Sequence, residues 1–145
     1  MPEMMPKSKS TYEYVGSGYP PVRAYANDAG MDLICQEDRV IYPGETEYIP
    51  SGVRFFLEPG EAVNIMTRSS TFRKRVTVVP TIIDTGYRDV ASIIVSNFNT
   101  YPVTVKAGDR LAQAVLIKVM GFANEEYNEI DRASRGLGSS DEIYS

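Results

Sequence analysis

The feature that most constrains this chain is its punctuation. Three turn sequences, Tyr-Pro-Gly-Glu (42–45), Glu-Pro-Gly-Glu (58–61) and Lys-Ala-Gly-Asp (106–109), are each followed by a fresh run rich in Val, Ile, Tyr, Phe and Thr. Pro presets the first two turns, and Gly in all three supplies the left-handed corner. Between them lie the candidate strands Thr46–Ile49, Val53–Leu57, Val63–Met66, Val76–Val79, Val90–Val95 and Leu111–Val119. Runs of this length and composition suit a pleated, half-buried surface. Before residue 120 no stretch keeps a helical apolar period for three turns, apart from a short helix expected around Ser69–Arg75. Many short strands joined by Gly/Pro turns predict an all-β fold: a β-sandwich, jelly roll or distorted barrel.

Length sets the scale of that fold. At 145 residues the chain makes one domain and buries roughly two-thirds of the surface its unfolded form exposes. That suffices for one core but leaves little material for an enclosed pocket. Residues 1–18 are polar and read as an extended or flexible lead-in, 19–123 as the β domain, and 124–145 as a C-terminal arm. Helix-forming residues gather only at 124–130, in a segment short and acidic enough to be marginal alone. The arm ends in Arg-Gly-Leu-Gly-Ser-Ser-Asp-Glu (135–142). Such a run adds little to a core, but its glycines allow close backbone approach and its serines supply donors.

Composition removes several chemistries. There is no histidine, and Cys35 is the single cysteine. Histidine catalysis, histidine metal sites, Ser-His-Asp triads and internal disulfides are therefore excluded. The lone cysteine and the absence of an apolar leader lead to an expected cytoplasmic location. No apolar run approaches membrane-spanning length, so no membrane partner is expected. With 15 basic and 19 acidic residues, net charge −4, the chain is poorly suited to coat long nucleic acid. A small phosphorylated ligand needs only local cations. These occur as Arg68, Arg73, Lys74 and Arg75, then Lys106 and Arg110, then Arg132 and Arg135.

Carboxylates are the remaining candidates for chemistry. Asp84 ends the apolar run of Pro-Thr-Ile-Ile-Asp-Thr-Gly-Tyr-Arg-Asp (80–89). A carboxylate at a strand end can orient a water as general base, or can simply cap its own turn. Asp32 sits between Met31 and Leu33. If the pleat buries those two neighbours, Asp32 faces the other way, toward solvent or a site. A carboxylate beside a polyphosphate is a fair outer ligand for Mg²⁺, which keeps its waters and binds mainly through phosphates. The glycine-rich pieces lack the strand–loop–helix context of nucleotide-binding α/β loops.

Five separated pieces, taken in order, resemble the motifs of the trimeric deoxyuridine triphosphatase (dUTPase) family. They are Asp28-Ala29-Gly30-Met31-Asp32-Leu33, Arg68-Ser69-Ser70, Ile83-Asp84-Thr85-Gly86-Tyr87-Arg88, Gly108-Asp109-Arg110-Leu111-Ala112-Gln113, and Arg132 with Arg135-Gly136-Leu137-Gly138-Ser139-Ser140. The resemblance implies a distorted jelly roll of the β-clip type, a homotrimer with shared active sites, and Mg²⁺-dependent hydrolysis of dUTP to dUMP and pyrophosphate. It further implies that the first, second and fourth pieces, the third, and the fifth come from different subunits.

Carried onto this chain, the resemblance makes Asp84 the base that aims water at the α-phosphorus. Arg68, Ser69, Ser70 and Gln113 contact phosphate oxygens, and Arg132 grips the γ-phosphate with Ser139 and Ser140. Asp32 holds a metal-bound water, Tyr87 packs beneath the deoxyribose, and the backbone of Val78 to Ile83 reads the uracil edge. Leu137 makes an aliphatic contact with the base, and Gly138 allows close backbone approach to the ligand. The chain departs from the family pattern at Pro80, Thr81, Asp89, Leu137 and Asp141, which bears mainly on the base pocket. Two alternatives remain open on sequence. The related dCTP deaminases share the fold, and Arg68-Ser69-Ser70 followed by Arg73 is similar to their second motif; they use a glutamate where Ile94 lies. A catalytically inactive homologue binding nucleotide or protein is the other.

Overall fold

The computed structural model describes residues 5–73 and 75–127, with backbone alone for 72 and 73. The three turn sequences fall where the chain reverses. Glu45, Glu61 and Asp109 donate their N–H groups to the carbonyls of Tyr42, Glu58 and Lys106 at 3.0, 3.1 and 2.9 Å. Gly44, Gly60 and Gly108, at the third position of each turn, have φ of 77, 79 and 92°. Left-handed geometry at that position defines the type II turn and explains why glycine occupies it.

Eleven strands and one short helix follow in chain order: β1 (Thr11–Tyr14), β2 (Met31–Ile34), β3 (Arg39–Ile41), β4 (Thr46–Pro50), β5 (Val53–Phe56), β6 (Glu61–Thr67), α1 (Ser69–Arg73), β7 (Thr77–Val78), β8 (Thr81–Ile83), β9 (Ser92–Ser96), β10 (Val103–Val105) and β11 (Arg110–Lys118). They form a four-stranded sheet in the order β2-β11-β6-β8, a three-stranded sheet β4-β9-β7, and the pairs β1-β5 and β10-β3. Every pairing is antiparallel. The fold is all-β, a distorted jelly roll of the β-clip type. The core is aliphatic, centred on the fully buried Leu33, Ile41, Ile49, Ile65, Ile93 and Leu111.

The longest strands, β6 and β11, run side by side through seven paired positions, from Ala112↔Thr67 to Lys118↔Glu61. They are the frame on which the candidate site residues are placed. Asn97, fully buried, staples the ends of neighbouring strands: its Nδ2 donates to the carbonyls of Ile41 at 2.8 Å and Tyr101 at 2.9 Å. The expected short helix is present as α1, described over Ser69–Arg73. Residues 124–127, the described part of the expected helix-forming stretch, are turn and irregular chain.

Part of the lead-in is extended chain held in a sheet. Thr11–Tyr14 forms β1, in register with the whole of β5. Ser10 and Ser8 donate to the Glu61 carboxylate, Ser10 at 2.6 Å. Four alternating polar and aromatic residues carry little apolar signal, so this strand is fixed by its partner rather than by its own pattern.

Candidate functional site

Asp32 shows how the pleat works. Met31 and Leu33 are buried at 7% and 0% exposure. Asp32 therefore points to the opposite face, where its side chain is 14% exposed between two guanidinium groups. Arg68 Nε lies 2.8 Å from Oδ1, and Arg110 Nη1 lies 3.4 Å from Oδ2. Arg68 Nη1 also donates to Ser70 Oγ at 2.8 Å and to the Arg110 carbonyl at 3.1 Å. Three segments distant in sequence thus converge on one cluster: β2, the β6–α1 junction and the start of β11.

Gln113 completes this edge of the sheet. It pairs with Asp32 on one side and Met66 on the other, and its Nε2 donates to the Thr67 carbonyl at 3.1 Å. Gly30, at the entry to β2, lies against this side chain: a Cβ there would stand 2.7 Å from Gln113 Oε1 and 3.2 Å from Gln113 Cβ and Val115 Cγ2. Ser69 opens α1 and is exposed beside Arg68. The orientation of α1 depends on Thr71, a residue the sequence reading did not single out. Fully buried, it donates through Oγ1 to the carbonyls of Leu111 at 2.6 Å and Arg110 at 3.2 Å. A hydroxyl following two serines carries no periodic signal that would distinguish it.

The second group lies elsewhere. Asp84 follows β8, and β8 pairs with the opposite end of β6 through Ile83↔Val63. Thr85 Oγ1 donates to the Glu61 carbonyl at 2.6 Å, fixing the same end. One step beyond the Ile83↔Val63 pair, Asp84 is level with Ala62, six residues of strand or about 20 Å from Arg68. Asp84 is exposed at this turn, and its carbonyl accepts from the Tyr87 N–H at 3.2 Å. Gly86 sits at φ 94°, the left-handed corner that turns Tyr87 inward to 8% exposure. Burial pushes the Tyr87 phenol pKa up, with a smaller push from the charge of Asp89, so the ring is a neutral, mostly apolar surface.

Val78 is buried on β7, paired with Val95 in the other sheet, and the chain crosses at Pro80 to β8 and the buried Ile83. The Val79 N–H donates to the Ile94 carbonyl at 2.8 Å. The acid position of the deaminase pattern is thus Ile94 on β9, a strand of Ser-Ile-Ile-Val-Ser. Arg132, Leu137, Gly138, Ser139 and Ser140 lie outside the described residues.

No group of three or more Asp, Glu, Cys or His residues among the described residues could hold a metal. Asp32 is already matched by two cations, so it fits an acceptor for a metal-bound water better than a direct ligand. A magnesium ion carried in by phosphates fits these residues.

The fold is thus an antiparallel β-clip jelly roll that carries a clustered Asp-Arg-Arg edge and, apart from it, an Asp–Gly–Tyr turn. The sequence model of the dUTPase family matches residues 19–141, and the chain belongs to that family. It is 36% identical over 128 residues to the deoxyuridine 5'-triphosphate nucleotidohydrolase of Caldanaerobacter subterraneus subsp. tengcongensis, covering 81% of this chain and 86% of that protein. It is also 36% identical over 121 residues to the Pol polyprotein of ovine maedi visna related virus, covering 83% of this chain and 11% of the polyprotein. Among solved structures, a mutant dUTPase from phage phi11 of S. aureus superposes with a TM-score of 0.75 at 19% identity. It covers 85% of this chain and 99% of the phage chain, and in it a structural Mg(II) ion is coordinated. The native EIAV dUTPase superposes with a TM-score of 0.70 at 22% identity, covering 83% of this chain and 97% of that one. At these identities the structural likeness speaks for the fold.

Proposed function

We propose that this chain hydrolyses dUTP to dUMP and pyrophosphate at sites shared between copies of a homotrimer. The observation that supports the reading is the separation of the two groups of candidate residues along β6. Arg68, Ser69, Ser70 and Gln113 gather with Asp32 at one end of β6, while Asp84 and Tyr87 stand at the other. About 20 Å exceeds the combined reach of a carboxylate and a guanidinium. The two groups meet when Asp84 of one copy faces Arg68 of the next, the arrangement a closed cyclic oligomer supplies.

In this reading Asp84 accepts a proton from a water as the water oxygen bonds to the α-phosphorus. The bond from that phosphorus to the oxygen bridging α and β breaks, and the electron pair leaves with pyrophosphate. Arg68 and Gln113 hold phosphate oxygens in line, with Ser69 near the bridging oxygen. Asp32 keeps Arg68 aimed and would accept from a water held by the magnesium ion. Mg²⁺, when bound to the triphosphate, would spread the charge that builds on the leaving group. Tyr87 packs beneath the deoxyribose, where its inward ring leaves no space for a 2′-hydroxyl, and the backbone of Val78 to Ile83 reads the base. Arg132, Leu137, Gly138, Ser139 and Ser140 close the site; for them the support is the family resemblance. The cytoplasmic location stays part of the proposal, supported by the single, buried Cys35.

A steady-state assay with Mg²⁺ across dUTP, dCTP, dTTP and UTP tests the reading. Pyrophosphate and dUMP from dUTP, with the other three slower, is the expected result. Ammonia from dCTP would instead establish the deaminase alternative, and nucleotide binding without turnover the inactive homologue.

A further inference from the structure

The turn that carries Asp84 and the loop after it are gripped at three points, and all three lead back to the N-terminal segment. At its start, Thr85 donates to the Glu61 carbonyl at 2.6 Å. The Glu61 carboxylate accepts from Ser8 and from Ser10, the latter at 2.6 Å. Ser10 Oγ also accepts from the Glu58 N–H at 2.9 Å, so one hydroxyl ties the chain on both sides of the 58–61 turn. Further along, Arg54 Nε donates to the Arg88 carbonyl at 3.0 Å. The Arg88 guanidinium stands 5.7 Å from the centre of the Phe56 ring, within cation–π range. At the end of the loop, the Ala91 N–H donates to the Val53 carbonyl at 2.8 Å, and Ser51 Oγ donates to the Ala91 carbonyl at 2.7 Å.

Arg54, Phe56 and Val53 all belong to β5. Among the described residues, β1 is the strand that pairs with β5, placing Glu13 across from Arg54, Thr11 across from Phe56 and Tyr14 across from Val53. The Val15 N–H extends the contact to the Gly52 carbonyl at 2.7 Å. The family model's match begins only at residue 19, so this brace lies in front of the matched region.

We propose that residues 8–15 position the Asp84–Tyr87 turn, with Ser10 as a positioning residue acting through Glu61 and Thr85, and β1 acting through β5 and Arg88. A strand at a sheet edge has weak intrinsic order, and displacement of a catalytic group by an ångström costs up to about a hundredfold in rate. The segment therefore sets the rate at which a bound nucleotide reacts while contacting neither phosphate nor base. The kinetic half of this inference rests on the proposed hydrolysis of dUTP; the positional half does not.

The test compares the full chain with a Ser8→Ala/Ser10→Ala double variant, with Ser10→Thr, and with a chain lacking residues 1–15. Amide hydrogen exchange of residues 85–90 and steady-state kinetics with dUTP are read together. In the double variant, exchange at 85–90 should rise at least about fivefold while β6 and β11 stay protected. Its kcat should fall about tenfold with KM within twofold, and Ser10→Thr should restore both. The shortened chain should show the larger effect; if it fails to fold, the serine pair decides. Unchanged exchange at 85–90 in the double variant overturns the inference, as does raised exchange with an unaltered kcat. If the full chain releases no pyrophosphate from dUTP, the hydrolase reading falls, and exchange alone decides whether the brace exists.

Discussion

Asp32 Oδ1 and Arg68 Nε meet at 2.8 Å across the width of β11, which lies between their two strands in the sheet. The pair is partly buried, with side-chain exposures of 14% and 25%, and Arg110 approaches the other carboxylate oxygen. One acid therefore restrains two cations, Arg68 and Arg110, at the edge where the proposed function places the triphosphate. Electrostatics of this kind serves orientation more than affinity, because the acid itself repels phosphate.

Asp32→Asn separates those two effects. Removing the negative charge leaves the arginines more attractive to phosphate but less well fixed. A non-hydrolysable dUTP analogue should bind the variant at least as tightly as the parent, while kcat falls about tenfold. Isothermal titration and pyrophosphate release measure the two quantities. Weaker binding with an unaltered kcat would show that Asp32 does not orient Arg68.

Thr71→Val tests how α1 is held to β11. The substitution keeps shape but deprives two carbonyls of a donor, and Thr71 is fully buried. Stability in urea, at fixed chain concentration, should drop by about 1–3 kcal/mol. A loss under about 0.5 kcal/mol would mean that α1 is held by packing alone.

Arg75 is the one non-glycine residue with positive φ among those described, at 67°, just beyond α1. A side chain in that region carries a steric cost that glycine avoids. Arg75→Gly should therefore raise stability by about 0.5–1 kcal/mol, the relief exceeding the added freedom of the unfolded chain. A thermal melt at fixed concentration reads the sign, and destabilisation would show that the exposed side chain contributes more than its backbone costs.

Glu61 gives a pH signature to the N-terminal brace. Hydrogen bonds from Ser10 and Ser8 are the main causes holding its pKa below the ordinary 4.5, with Lys118 adding a smaller attraction. A depressed carboxylate stabilises the fold above its unfolded pKa and loses that contribution as pH falls through the folded value. Relative to the full chain, Ser8→Ala/Ser10→Ala should melt lower at pH 6, and the difference should shrink as pH drops below about 4.5. A difference independent of pH would mean that the Glu61 carboxylate is not involved.

The strands that could be read from sequence were those with several core positions. β6 and β11 place Val63, Ile65, Leu111 and Ala114 inside, and their apolar runs are continuous enough to see. β1, β3 and β10 were missed, because strands of three or four residues with at most one fully buried side chain carry too little pattern. The face occupied by Asp32 followed from alternation alone, and the abrupt end of an apolar run marked Asp84. What sequence could not show was distance. The family resemblance assigns Asp84 and Arg68 to different subunits, but the residues themselves do not show that the two occupy opposite ends of β6, since that depends on the β6–β8 register. Thr71 and Ser10 were equally invisible, because their importance lies in the carbonyls and carboxylates that other segments bring to them.

The central claim, that one chain supplies the base and another the phosphate grip, is tested most directly by mixing two inactive variants. Asp84→Asn and Arg68→Ala chains are denatured, combined in equal amounts and refolded together, and pyrophosphate release from dUTP is measured. Each variant alone should fall at least about a hundredfold below the parent. Random assembly pairs an intact Asp84 with an intact Arg68 at about a quarter of shared sites, so the mixture should recover about a quarter of parental activity. A mixture no more active than the separate variants, although mixed oligomers have formed, would contradict the account.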